Sequence, residues 1–203
     1  MTSSFDARAQ TWDDDPRRRY LAAGIFAALE QTVPLRADMA ALDYGAGTGL
    51  LTLALAARVR RVLAVDSSAG MLAVLANKAQ AAGQAHVETL HADFTKAPLP
   101  AGPFDLVASA MTLHHVADVD ALLRNFHTLL APGGRIALAD LDAEDGSFHG
   151  ANAAGVYHLG FDRAALERKL LDAGFVDARC ADAVRNEKNG RTYTVFLATA
   201  RKP

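Results

Sequence analysis

Three glycines at alternate positions, Gly45, Gly47 and Gly49, follow the acid Asp43 in the run LDYGAGTGLL. Glycine tolerates positive φ and lets a ligand approach bare backbone, so three of them between an apolar run and a helical pattern mark a ligand loop. A dinucleotide loop reads G-x-G-x-x-G, but the sixth position counted from Gly45 is Leu50, and the third glycine comes one residue early. Asp43 would also meet a diphosphate as a like charge.

The same carboxylate suits a ligand with cationic groups. S-adenosylmethionine carries an ammonium and a sulfonium, and its single carboxylate can take the free N–H groups where a helix begins. Two further acids fall at the ends of the next strand-like runs. Asp66 closes RVLAVD and is followed by Ser67, at the place where an acid accepts from ribose hydroxyls. Asp93, in HADF, can accept from an adenine amino group, with Phe94 against the ring and Met71 on its other face. Three acids at successive strand ends support an adenosine site.

Proton-transfer candidates are His114 and His115, in LHHV after a fourth strand-like run, with Asp140 at the end of the fifth as the alternative base. Neighbouring residues point in different directions, so one histidine is expected to face the ligand. Trp12 and Tyr20 near the start, and His149, Tyr157 and His158 in the glycine-rich stretch DAEDGSFHGANAAGVYHLGF, are candidates to contact a second substrate. No cysteine or closely spaced third ligand accompanies the histidines, so no metal site is expected.

These residues need a scaffold that delivers strand ends to one crest. Strand-like runs alternate with helical patterns from position 40 onward, which predicts an α/β fold: a doubly wound, Rossmann-like sheet of about seven strands. The sheet is expected to be mostly parallel, with one antiparallel strand near the C-terminus, because FVDARCADAV and TYTVFLATAR flank the turn pair Asn189-Gly190. Asp15 and Pro16 open a first helix, Val119 to Leu130 form an apolar helical stripe stopped by Pro132 and Gly133, and Asp162 caps a later helix. One domain over 1–203 is expected, with an N-terminal helical cap over 1–35 and a lid-like insert over 142–160.

Composition limits the alternatives. The chain has 203 residues, 51% of them hydrophobic and 22% charged, with a net charge of −2, so it exerts no global pull on nucleic acid or anionic membrane. Apolar stretches are far too short for a membrane span, and the first 20 residues lack the apolar segment of a signal peptide; a cytoplasmic protein is expected. Cys180, the single cysteine, reads as a small buried hydrophobe. Arg17, Arg18 and Arg19 are either a solvated cluster offset by Asp13, Asp14 and Asp15 or a contact for an anionic substrate. Nothing in the sequence speaks to oligomeric state.

Taken in order, LDYGAGTGLLTLALA, VLAVDSSAGMLAVLANKA, HADF, FDLVASAMTLHHV and LLAPGGRIALADL resemble the motif series of class I S-adenosylmethionine-dependent methyltransferases. The likeness is greatest to the broad branch that includes ubiquinone and menaquinone biosynthesis methyltransferases. It implies that Asp43 and the loop of Gly45, Ala46, Gly47, Thr48 and Gly49 hold the methionine portion. Asp66 would hold the ribose, Asp93 and Phe94 the adenine, and the backbone around Ser109 and Ala110 would face the amino group. Of the two histidines, the resemblance favours His115. The expected activity is methyl transfer to a small-molecule acceptor, without nucleic acid as partner. A silent cofactor-binding module, or a methyltransferase acting on RNA or protein, is the alternative.

Overall fold

The computed structural model describes residues 5–150 and 155–203. A 3₁₀ helix over Asp6–Asp14 precedes α1 (Pro16–Thr32). The Asp15 carboxylate accepts from the Arg17 N–H at 3.0 Å and Pro16 takes the first turn, which together fix where α1 starts. Leu21, Ile25 and Leu29, four residues apart, form its buried stripe.

Strands and helices then alternate as β1 (Ala40–Tyr44), α2 (Leu50–Ala56), β2 (Arg61–Asp66), α3 (Ala69–Ala81), β3 (Val87–His91) and β4 (Phe104–Ala110). A short 3₁₀ turn over Leu113–His115 leads to α4 (Val119–Leu129), β5 (Leu130–Leu141), α5 (Arg163–Asp172), β6 (Val176–Lys188) and β7 (Arg191–Arg201). Side-chain caps begin three of these helices. Ser68 accepts from Met71 N–H (3.2 Å), Asp118 from Ala121 N–H (2.8 Å) and Asp162 from Ala165 N–H (2.8 Å).

The seven strands lie in the order β3-β2-β1-β4-β5-β7-β6. β7 alone runs against its neighbours, so the expected mostly parallel sheet with one reversed strand is the observed one. Two boundaries differ from expectation. Leu130 is extended rather than helical and pairs with Phe104, so β5 begins before Pro132. The polar stretch before Asn189 is strand as well: β6 reaches Lys188, which pairs with Arg191 across a two-residue turn. Asn189 (φ 54°) and Gly190 (φ 73°) both take the left-handed conformation that matches the twist of a hairpin.

α1, α2 and α3 cover one face of the sheet, through Leu106, Val62 and Ala64; α4 and α5 cover the other, through Val107, Leu138 and Phe126. Cys180 is only half-buried, and burial next to Glu167 pushes its thiol up to about 12. Between β1 and β4 the strand order reverses direction, which opens a crevice at their C-terminal ends.

The contact of α1 with β6 depends on Gly24, since a Cβ there would lie 2.7 Å from Val184 Cγ2. Gly24→Val should therefore cost about 1–3 kcal/mol by overpacking. Urea denaturation followed by circular dichroism measures it.

Candidate active site

The crevice between β1 and β4 deepens into a cleft of about 720 Å³. Its floor is the loop between β1 and α2. All three glycines of that loop have positive φ, at 73°, 54° and 85°, and they serve different ends. A Cβ on Gly45 would lie 2.2 Å from Thr112 Oγ1 and one on Gly49 2.6 Å from Leu75 Cγ, so these two let neighbouring elements close in. Gly47 has nothing within 4 Å of where its Cβ would be, so its bare backbone faces the open cleft.

Asp66 holds this loop in place. One carboxylate oxygen accepts from Gly47 N–H and the other from Ser68 N–H, both at 2.8 Å, tying the β1 loop to the start of α3. Burial raises its pKa, opposed by those backbone donors. Asp43, 1% exposed, accepts from Thr52 Oγ1–H at 2.6 Å. Its surroundings push its pKa to about 7, mainly through burial, with the nearby Asp66 adding to the shift. Asp93 behaves differently. Burial would raise it, but the donors of Lys96 (2.8 Å) and Thr95 (2.6 Å) outweigh burial and hold it below the ordinary carboxylate range.

Of the residues expected at a cofactor site, Asp43, Gly45, Ala46, Gly47, Thr48, Asp66, Ser67, Met71, Asp93 and Ala110 line the cleft. Gly49, Phe94 and Ser109 are outside the lining. Phe94 packs against Tyr44 with ring centroids 5.1 Å apart, and Ser109 donates to the Tyr44 carbonyl at 2.7 Å, so both brace the last residue of β1.

His114 and His115 both line the cleft, where one had been expected to face it. The 3₁₀ turn over Leu113–His115 brings their rings to 4.2 Å, side by side rather than on opposite faces. His149 joins them, 4.8 Å from His114. Asp140, wholly buried, accepts from His114 Nδ1–H at 2.7 Å and from the His114 and Leu141 backbone N–H groups. Asp140 therefore reaches the cleft only through His114. His115 donates from Nδ1 to the Gly155 carbonyl at 2.7 Å, and burial followed by repulsion from His114 lowers its pKa. Burial and the two other histidines push His149 down to about 4, and its buried Nε2 has no hydrogen-bond partner among the described residues.

Trp12, Tyr157 and Phe148 also line the cleft. Tyr20 is 58% exposed and lies outside the lining; so does His158, which bonds the Val116 carbonyl at 2.9 Å. Part of the 142–160 insert, residues 151–154, lies outside the described residues. Among the described residues, no group of three or more histidine, cysteine or acidic side chains is placed to hold a metal ion, and no helix is long and apolar enough to cross a membrane.

The N-terminal 3₁₀ helix carries contacts that the sequence pattern did not suggest. Asp13 accepts from Thr48 Oγ1–H and from Lys78 Nζ, each at 2.6 Å. Asp6 accepts from Gly70 N–H at 2.9 Å and from Ser68 Oγ–H at 2.5 Å. The segment is thus a strap pinned at both ends to the elements that form the cleft floor.

Comparison with known proteins settles the family. A methyltransferase domain model matches residues 42–138. An uncharacterized methyltransferase of Geobacillus thermodenitrificans is 31% identical over 176 residues, which are 82% of this chain and 76% of that protein. The chain belongs to the class I S-adenosylmethionine-dependent methyltransferases. S-adenosylmethionine is the cofactor of this methyltransferase. The fold agrees with solved structures. A complex between the Haloferax volcanii Trm112 methyltransferase activator and its methyltransferase contains a chain that superposes with a TM-score of 0.81 at 18% identity, covering 100% of this chain and 99% of that one. Haemonchus contortus phosphoethanolamine N-methyltransferase 2 in complex with S-adenosyl-L-methionine gives 0.74 at 19%, covering 88% of this chain and 52% of that one. Against four other curated methyltransferases the chain spans 55 to 64% of their length.

The ionisation of Asp43 near neutrality gives the methyltransferase a testable signature. An ionised carboxylate attracts the cationic cofactor and a protonated one does not, so affinity should climb as pH rises through about 7. Calorimetric titration of S-adenosylmethionine between pH 6 and 8 is expected to show that rise at about tenfold, and Asp43→Asn should flatten it.

Proposed function

We propose that this chain catalyses methyl transfer from S-adenosylmethionine to a small-molecule acceptor, by in-line displacement in the cleft above β1 and β4. The observation that carries this reading is that the glycine loop and the carboxylate-backed His114 line one cleft. A volume of about 720 Å³ lies within the range of small-molecule sites, roughly 300–1,000 Å³, and the strap narrows access further.

In this reading Asp43 faces the cationic methionine end, and the loop from Gly45 to Gly49 takes its carboxylate. Asp66 serves the ribose with the carboxylate lone pairs left over from Gly47 and Ser68. Asp93 accepts from the adenine amino group while Met71 packs on the ring. The cofactor, when bound, supplies a methyl carbon already activated by its sulfonium. The remaining work is positioning the acceptor at about 3–3.5 Å and excluding water, which falls to the strap and the 142–160 insert.

Where the acceptor must lose a proton, His114 is better suited than His115. Donation from Nδ1 to Asp140 leaves Nε2 as the basic nitrogen, and the Asp140 carboxylate stabilises the imidazolium formed when Nε2 takes the proton. His115 and His149 have no such partner, and burial followed by repulsion from His114 lowers the pKa of each. They shape the acceptor site and stay uncharged beside the reacting cation.

The test uses the full chain with methyl-labelled cofactor, presented in turn with the small-molecule, RNA and protein fractions of a cell extract. Label should enter a compound in the small-molecule fraction, identified by mass spectrometry; label confined to RNA or protein would contradict the proposal. Where that compound must lose a proton on methylation, His114→Gln and Asp140→Asn should each lower turnover about a hundredfold or more while leaving S-adenosylhomocysteine affinity unchanged.

A further inference from the structure

The cleft contains a group of cations that cofactor binding does not call for. Arg8 from the strap, Arg17 and Arg18 from the first turn of α1, and Lys188 from the end of β6 all line it. They come from three elements, two adjacent in sequence and the third, β6, remote from both. Aromatic rings link them to the histidines. The Arg8 guanidinium lies 5.1 Å from the ring centre of Phe5, which is itself 5.3 Å from His115. Lys188 Nζ lies 4.5 Å from the ring centre of Phe148, which packs 5.0 Å from His149. Arg18 stacks on Trp12 at 3.7 Å.

Asp13, Asp15 and Glu144 act on Arg18 or Lys188 from a distance, but each of them bonds another donor. Asp15 is engaged by Arg17, through two hydrogen bonds at 3.1 and 2.9 Å. Asp13 is taken by Lys78 and Thr48, and Glu144 accepts from the Phe148 N–H. Arg18 and Lys188 enter no ion pair among the described residues. Instead Arg18 donates to the Trp12 carbonyl at 2.7 Å, and Lys188 donates to the Phe148 carbonyl. Both have lowered pKa values. Burial is the leading cause in each, and Arg17 contributes repulsion to both. Like charges gathered in a half-closed cleft repel one another, and an anionic ligand relieves that repulsion.

We propose that the methyl acceptor is an anion, its carboxylate or phosphate group bound between Arg18 and Lys188 with Arg8 beside them, and its reacting atom turned toward the histidines. This rests on the reading of the cleft as a methyltransferase site and adds the class of its second substrate. Arginine suits such a role because its planar fork matches both carboxylate and phosphate. Phe5, Trp12 and Phe148 then offer apolar surface to the uncharged part of the acceptor.

The experiment is calorimetric titration of the full chain loaded with S-adenosylhomocysteine, using four probes of similar shape: benzoate, phenyl phosphate, benzamide and benzylamine. Benzoate or phenyl phosphate should bind at least about tenfold more tightly than benzamide, with benzylamine weakest, and the better of the two anions tells carboxylate from phosphate. Lys188→Gln should remove most of that preference and Lys188→Glu should reverse it, both leaving S-adenosylhomocysteine affinity within about twofold. Equal or better binding of the neutral or cationic probe overturns the inference. So does the absence of binding by all four, or a parallel loss of S-adenosylhomocysteine in the Lys188 variants, which would assign the cations to the cofactor's own carboxylate. Failure of the wild-type chain to bind S-adenosylhomocysteine at all would strike the methyltransferase reading itself.

Discussion

Bare backbone at the exit of β1 is the constraint on which the cleft depends. A side chain at Gly45 would run into Thr112 and one at Gly49 into Leu75, so the segment after β4, and α3, could no longer stand where they do. Once those neighbours are close, Asp66 can reach across from β2 and fasten Gly47 and Ser68 with a single carboxylate. The loop's shape is therefore set before any ligand arrives, and little ordering is left to be done on binding. The cost is a pair of acids, Asp43 and Asp66, held in poorly solvated positions with raised pKa values.

That cost explains the character of the site. Two part-desolvated acids at the crest of the sheet repel diphosphates and welcome a cation. The strap makes the enclosure tighter, because Asp13 and Asp6 take hydrogen bonds from α3 and from the loops before α2 and α3, the same region that Asp66 organises from below. At the histidine end the lining changes: Arg18 and Lys188 stand in the same cleft as His115 and His149, whose pKa values burial lowers.

Much of the scaffold is legible in the sequence because each signal is local. The alternation of strand and helix patterns, Asp15 with Pro16, Asp162 before its helix, and Asn189-Gly190 all act within a few residues of themselves, and each does in the structure what its chemistry suggests. The three strand-end acids are equally readable, since a parallel sheet delivers strand ends to one crest. What local reading misses are contacts between distant segments. Asp13 bonds groups 35 and 65 residues away, and Asp6 groups 62 and 64 residues away. Gly70 holds a late clue, because a Cβ there would lie 3.0 Å from the Asp6 Cα. The side-by-side histidines were missed for another reason: a 3₁₀ turn does not separate neighbours as a strand does. Phe94 and Ser109 stand one layer behind the cleft, a distinction that only packing can draw.

The central claim is electrostatic: acids at the strand ends select a cationic adenosine ligand over one carrying a diphosphate. Parallel calorimetric titrations of the wild-type chain with S-adenosylmethionine and with NAD, at one pH and ionic strength, measure that selection directly. The expected result is one molecule of S-adenosylmethionine bound per chain and no measurable heat from NAD. NAD binding as tightly as S-adenosylmethionine, or more so, would contradict it.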